Sequence, residues 1–124
     1  MSAALQEAVI ETLRAALSCK VYDEVPRDAA MPYVVLDSIQ AANADGLTAQ
    51  RERVMVYLSV WAEGVNALGV LGILDDIKAA LHNTKPTLDT GRCAIIREAR
   101  RSTDRDIDRA VRIGRAAYEA HIAP

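Results

Sequence analysis

The segment Arg53 to Ala62, RVMVYLSVWA, constrains the fold more than any other part of the chain. Side chains alternate across a strand, so Val54, Val56, Leu58 and Val60 take one face and Met55, Tyr57, Ser59 and Trp61 the other. Both sets are largely apolar. Such a strand is either central in a sheet covered on both sides, or covered by helices on one side and by another subunit on the other. The chain has 124 residues, 22 of them alanine, with one Trp, four Tyr and no Phe. A core built from such residues is thin, and a common remedy is to bury more surface against other subunits. The second option therefore fits this chain better.

The surrounding segments supply the helices and further strands. Leu5, Val9, Leu13, Ala16 and Leu17 recur at helical spacing, with Gln6, Glu7, Glu11 and Arg14 opposite and Ser2 placed as an N-cap. Cys19 to Val25 is short and β-leaning, and a buried strand starts at Pro32 with Tyr33-Val34-Val35-Leu36. Ala41 to Arg51 has no usable period and is expected as an exposed loop. A second helix spans Val65 to Asn83, with Val70, Ile73, Leu74, Ile77 and Leu81 as its buried stripe and Asp75, Asp76 and Lys78 facing out. Asn83 and Pro86 stop it, and His82 stands where positive charge complements the helix dipole. Cys93 to Ala99 is expected as a strand, and the polar run Ser102 to Asp108 as a connection. Ala110 to Ile122 alternates as a final strand, its alanine density leaving a helix as the competing reading. The pattern predicts an α+β domain over residues 1–124, a mostly antiparallel sheet of about four to five strands with two helices packed on one face.

Charge and composition exclude several classes of function. The net charge of -2 argues against a free-standing nucleic-acid binder. Its distribution is uneven: residues 1–91 hold 7 Lys/Arg against 12 Asp/Glu, and residues 92–124 hold 8 Arg against 5 acids. These charges either solvate a surface or attract a neighbouring copy. The longest nearly apolar stretch, Val65 to Leu74, is well short of the roughly 18 residues of a membrane span. No secretory signal is legible, because Gln6, Glu7 and Glu11 interrupt the apolar residues, so synthesis in a reducing cytoplasm is expected.

No motif for catalysis, metal or cofactor survives inspection. Asp104-Arg105-Asp106-Ile107-Asp108 copies the start of a calcium loop, but Arg109 falls where a glycine must turn and Arg115 where a bidentate Glu is required. The segment is then a solvated connection, balanced by Arg101, Arg105 and Arg109, or an intersubunit charge contact. Cys19, Cys93, His82 and His121 lack paired ligand spacing for zinc, and no nucleophile elbow is present. Gly64, Gly69 and Gly72 follow no phosphate-loop spacing. Asp75 and Asp76, adjacent on a helix, point about 100° apart and cannot readily share a substrate. Tyr57 and Trp61 could stack on bases, but without a basic groove they are better explained by core or interface packing.

The order Val21-Tyr22-Asp23-Glu24-Val25-Pro26, Met31-Pro32-Tyr33-Val34-Val35-Leu36, Leu58-Ser59-Val60-Trp61 and Ile77-Lys78-Ala79-Ala80-Leu81-His82 resembles the tail-terminator (tail-completion) proteins of long-tailed phages. It is also similar to the corresponding protein of phage-derived gene transfer agents. The resemblance implies a structural virion protein without enzymatic activity or cofactor. It implies a homo-oligomeric ring, usually hexameric, that caps the tail tube and joins it to the head connector or stopper protein, with DNA only in transit through the lumen and no membrane. Interface residues expected on this reading are Asn43, Asp45, Arg51 and Arg53, the pair Tyr57 and Trp61, and the group Arg101, Asp104, Arg105, Asp106, Asp108 and Arg109. The alternatives are a neighbouring neck protein, or a small cytoplasmic α+β enzyme or ligand-binding domain with a polar pocket near His121 or Cys93.

Overall fold

A computed structural model describes residues 2–46, 50–64, 67–89, 91–106 and 110–124. Helix α1 spans Ser2–Ala16, and its residues Leu5, Val9 and Leu13, spaced four apart, are fully buried. Ala16, the last helical residue, is exposed instead of completing that stripe. The N-cap expected of Ser2 lies outside the residues whose side chains are described. Strand β1 (Lys20–Tyr22) follows, then the long strands β2 (Tyr33–Asn43) and β3 (Glu52–Glu63). Helix α2 runs from Leu68 to Leu81, shorter than the span read from periodicity, and buries Val70, Leu74, Ile77 and Leu81 while Ile73 is only half-buried. Strands β4 (Arg92–Cys93), β5 (Arg97–Asp106) and β6 (Val111–Ala123) complete the chain.

The result is an α+β fold whose mixed sheet has six strands. Strand order is β1-β2-β3-β6, with β4 and β5 both pairing β6; every pairing is antiparallel except the parallel β1–β2 contact. The expectation of about four to five strands fell short for two reasons. First, the β-leaning segment after α1 does join the sheet, through the register Lys20↔Tyr33 to Tyr22↔Val35. Second, the strand read over Cys93 to Ala99 divides, because Ile96 exchanges hydrogen bonds with the end of α2 instead of with β6. Asn83 N–H donates to Ile96 O at 2.8 Å, and Ile96 N–H donates to Thr84 O at 2.9 Å.

Part of each of two segments expected as loops is strand. Ala41, Ala42 and Asn43 pair with Val54, Arg53 and Glu52, and the polar residues up to Asp106 pair with β6 as far as Val111. Both stretches are largely exposed, so no apolar period marks them; the ladder partner supplies the structure. The last segment is a strand, not a helix, with Gly114, Ala116, Tyr118, Ala120 and Ile122 all buried on one side.

One apolar cluster contains Leu5, Val9 and Leu13 of α1, Val70, Leu74, Ile77 and Leu81 of α2, and Val54, Val56, Leu58 and Val60 of β3. The even-numbered side of β3 is thus the core face. Gly114, paired with Val60, lets α2 come close: a β-carbon built there would lie 2.9 Å from Leu74 Cδ1. Tyr118 fills the middle of β6 with its hydroxyl buried and, among the described residues, without a hydrogen-bond partner, and burial holds its pKa above the ordinary phenol value, so it stays neutral.

α2 is clamped to β5. Arg101 Nε donates to Glu98 Oε1 at 2.7 Å and its Nη1 to Asp75 Oδ1 at 2.7 Å, while Lys78 Nζ lies 3.5 Å from Glu98 Oε2. Asp75 and Lys78 therefore face out from the helix into ion pairs. His82 Nδ1 accepts the Glu98 N–H at 3.0 Å, a tie from the end of α2 to β5.

Candidate interaction surfaces

The odd-numbered side chains of β3 define the outer face of the sheet. An aromatic row crosses one end of it. Tyr33 stacks on Trp61 with centroids 6.4 Å apart and planes at 20°, and Tyr22 meets Tyr33 edge-on at 5.9 Å. Below that row Trp61 Nε1 donates to Ser59 Oγ at 3.1 Å, and Ser59 Oγ donates to Asp37 Oδ1 at 3.0 Å. Asp37 is the extra residue of a bulge between Leu36 and Ser38, and Ala99 is the extra residue of a second bulge between Glu98 and Arg100. A bulge bends its strand. The two flank a notch of about 290 Å³ lined by Asp37, Tyr57, Arg100, Ser102 and Arg115.

Burial in this setting pushes the Asp37 carboxyl above its ordinary pKa of 3.8, against the opposing pull of the Ser59 hydrogen bond and the Arg115 charge. A carboxyl whose folded pKa is raised favours folding below its unfolded pKa, and that contribution is lost as pH rises through the folded pKa. Asp37→Asn, which keeps an acceptor for Ser59, is therefore expected to be more stable than the parent at neutral pH. The advantage should vanish below about pH 3.8. Urea midpoints across that range measure it, and a constant difference at all pH values would exclude the carboxyl as the cause.

The interface residues expected from sequence fall in three places. Asn43, Asp45 and Arg51 form the β2–β3 turn, where Asn43 Oδ1 accepts Asp45 N–H at 2.8 Å and Asp45 Oδ1 accepts Arg51 N–H at 2.9 Å. Arg53, Tyr57 and Trp61 share the outer face of β3, Arg53 lying 4.0 Å from Glu119 and the two aromatics being half-buried. Asp104, Arg105 and Asp106 end β5, with Arg105 N–H donating to Asp104 Oδ1 at 2.8 Å. Arg101 is engaged by Glu98 and Asp75 of its own chain, and Asp108 and Arg109 lie outside the described residues.

The turn and the β5 end stand at opposite ends of the sheet. Glu52 pairs with Ile122 at one limit of β3, whereas Glu63 pairs with Val111, and Val111 with Asp106, at the other. At about 3.3 Å per residue the two ends are roughly 36 Å apart. Sequence reasoning missed Arg97, Arg100 and Arg115, all exposed, and Asp37. The alternation of Arg115 with the buried residues of β6 is the signal that marks one of them.

A pocket of about 640 Å³ does lie beside Cys93 and His121, also lined by Lys85, Arg97, Glu98 and Glu119. Cys93 Sγ donates to Ala94 O at 3.0 Å, and burial raises the thiol pKa away from the reactive thiolate. His121 Nε2 faces Glu119 Oε1 at 3.2 Å. Among the described residues no group of three or more His, Cys, Asp or Glu is placed to hold a metal ion, and no helix is long and apolar enough to cross a membrane.

The model of a family described as "Tail completion protein gp17" matches residues 2–123. Among solved structures, a chain from one described as "Virion of native gene transfer agent (GTA) particle" superposes with a TM-score of 0.89 at 24% identity, covering 99% of this chain and 97% of that one. At that identity the likeness is one of fold. No curated protein matches.

Proposed function

This chain belongs to the tail completion protein gp17 family, and from that premise we propose that it closes the tail of a phage-type particle as a ring, hexameric by the family resemblance, and joins the tube to the head connector. It works within the virion, as one domain spanning residues 1–124, and its role is geometric: it holds a shape between two partners and leaves a lumen for DNA. The observation that carries this reading is the placement of two polar ends roughly 36 Å apart on one rigid sheet. The β2–β3 turn with Asn43, Asp45 and Arg51 serves one axial partner. The β5–β6 end with Asp104, Arg105 and Asp106, continuing to Asp108 and Arg109, serves the other. Arg53, Tyr57 and Trp61, on the odd-numbered side of β3, are available for contact with a neighbouring protein.

The test is the length distribution of tails by negative-stain microscopy. Particles assembled without this chain should carry tubes that run past their normal length and lack heads, and adding the purified chain during assembly should restore both features. Normal tails joined to heads in its absence would reject the proposal.

A further inference from the structure

We propose that successive copies of this chain meet flank to flank, the basic edge of one sheet against the acidic edge of the next. This assignment rests on the ring reading above. The strand order puts β5 and β1 at opposite limits of the sheet. Along β5, Arg97 and Arg100 are exposed, and among the described residues no salt bridge ties either of them to an acid of its own chain. Their neighbours Glu98 and Arg101 are not part of this surface, because they are spent on each other and on α2.

The other limit has the opposite sign. α1 lies over β1, held there by Arg14, whose Nε and Nη2 donate to Val21 O at 3.2 and 3.1 Å. A groove of about 430 Å³ opens between the helix and the chain leaving β1, and Glu7, Glu11 and Asp23 line it. These three are exposed and, among the described residues, without a salt bridge. Among the described residues Arg14 is the one cation of the groove lining, and its guanidinium is committed to the Val21 carbonyl.

A cyclic assembly needs two different patches, one on each side of the subunit, whereas a two-fold dimer needs one patch that fits itself. The positive charge of β5 stands at its Arg97–Arg100 end, whereas Asp104 and Asp106 stand at the other. That basic end is complementary to Glu7, Glu11 and Asp23 at the opposite limit of the sheet, which suits a head-to-tail contact between two different patches. The partner that fits is a second copy of this chain.

Charge reversal tests it on assembled particles. Arg97→Glu with Arg100→Glu makes both flanks acidic, and Glu7→Arg with Glu11→Arg makes both basic; all four positions are exposed, and thermal unfolding of each variant checks that the fold is kept. Each variant alone should enter purified particles at least about tenfold less than the parent, from the cost of opposed like charges. Producing the two variants together should restore incorporation, because an acidic subunit alternates with a basic one around the ring. If both variants enter particles as the parent does, the flank assignment is overturned while the ring reading stands, since tails remain capped. If each fails alone and their mixture fails too, these charges do not face one another and the assignment falls. A parent chain absent from particle ends would remove the ring reading as well.

Discussion

Replacing Gly114 with valine is expected to destabilise the chain by about 1–3 kcal/mol, the usual cost of forcing extra carbons into a packed core. Gly114 sits in the middle of β6, between Val60 of β3 and Thr103 of β5. The first β-carbon alone would approach Leu74 Cδ1 to 2.9 Å, Leu74 Cγ to 3.2 Å and Val70 Cβ to 3.4 Å. An alanine there could be met by a rotation of Leu74. Valine adds two further carbons, and α2 must then lift from the sheet or Leu74 leave its rotamer well. Because α2 is also clamped to β5 by Arg101 and Glu98, lifting it strains those ion pairs. Gly69→Ala and Gly72→Ala are the controls: among the described residues nothing lies within 4 Å of either added carbon, and each should stabilise the helix by roughly 0.5–1 kcal/mol. Denaturant unfolding of the three variants measures the contrast. A Gly114→Val chain as stable as the parent would show that α2 does not approach β6 as closely as described.

Exchanging residues 45–50 for Asn-Gly is expected to abolish tail capping while leaving the fold intact. The final rung of the β2–β3 hairpin is Ala44 N–H donating to Arg51 O at 2.9 Å, and a two-residue Asn-Gly turn closes such a ladder in the twist its strands prefer. The described residues of the turn are exposed, and its side-chain hydrogen bonds run among Asn43, Asp45 and Arg51. The described residues removed are all exposed, so stability should change by no more than about 0.5 kcal/mol. If this end of the sheet docks on the tube, the shortened protein will be folded, absent from tail ends, and accompanied by overlong tubes. Normal capping by the shortened chain would assign the docking to other residues.

The elements most legible in the sequence are those with one buried side. Leu5, Val9 and Leu13 mark α1; the alternation in β3 and β6 fixes which residues face the helices; the stop signal of Asn83 and Pro86 places the end of α2 to within two residues, the helix closing at Leu81. The far half of β2 and the part of β5 beyond Ala99 were not legible. Their side chains are exposed on both sides, so hydrophobicity has no period to follow, and their backbones are ordered by partners far away in sequence.

The candidate surfaces divide in the same way. Sequence alone determined that this small, alanine-rich chain carries a strand with two largely apolar faces and an arginine-rich C-terminal quarter. It could not say which arginines are outward. That was decided by one extra residue, Ala99, in the bulge of β5: it places Glu98 and Arg101 on the same face, where they lock onto α2, and sends Arg100 to the other. In a regular strand, residues 98 and 100 would share a face and 101 would oppose them. A bulge exists only in relation to its partner strand, so the division between clamp and surface belongs to the tertiary structure.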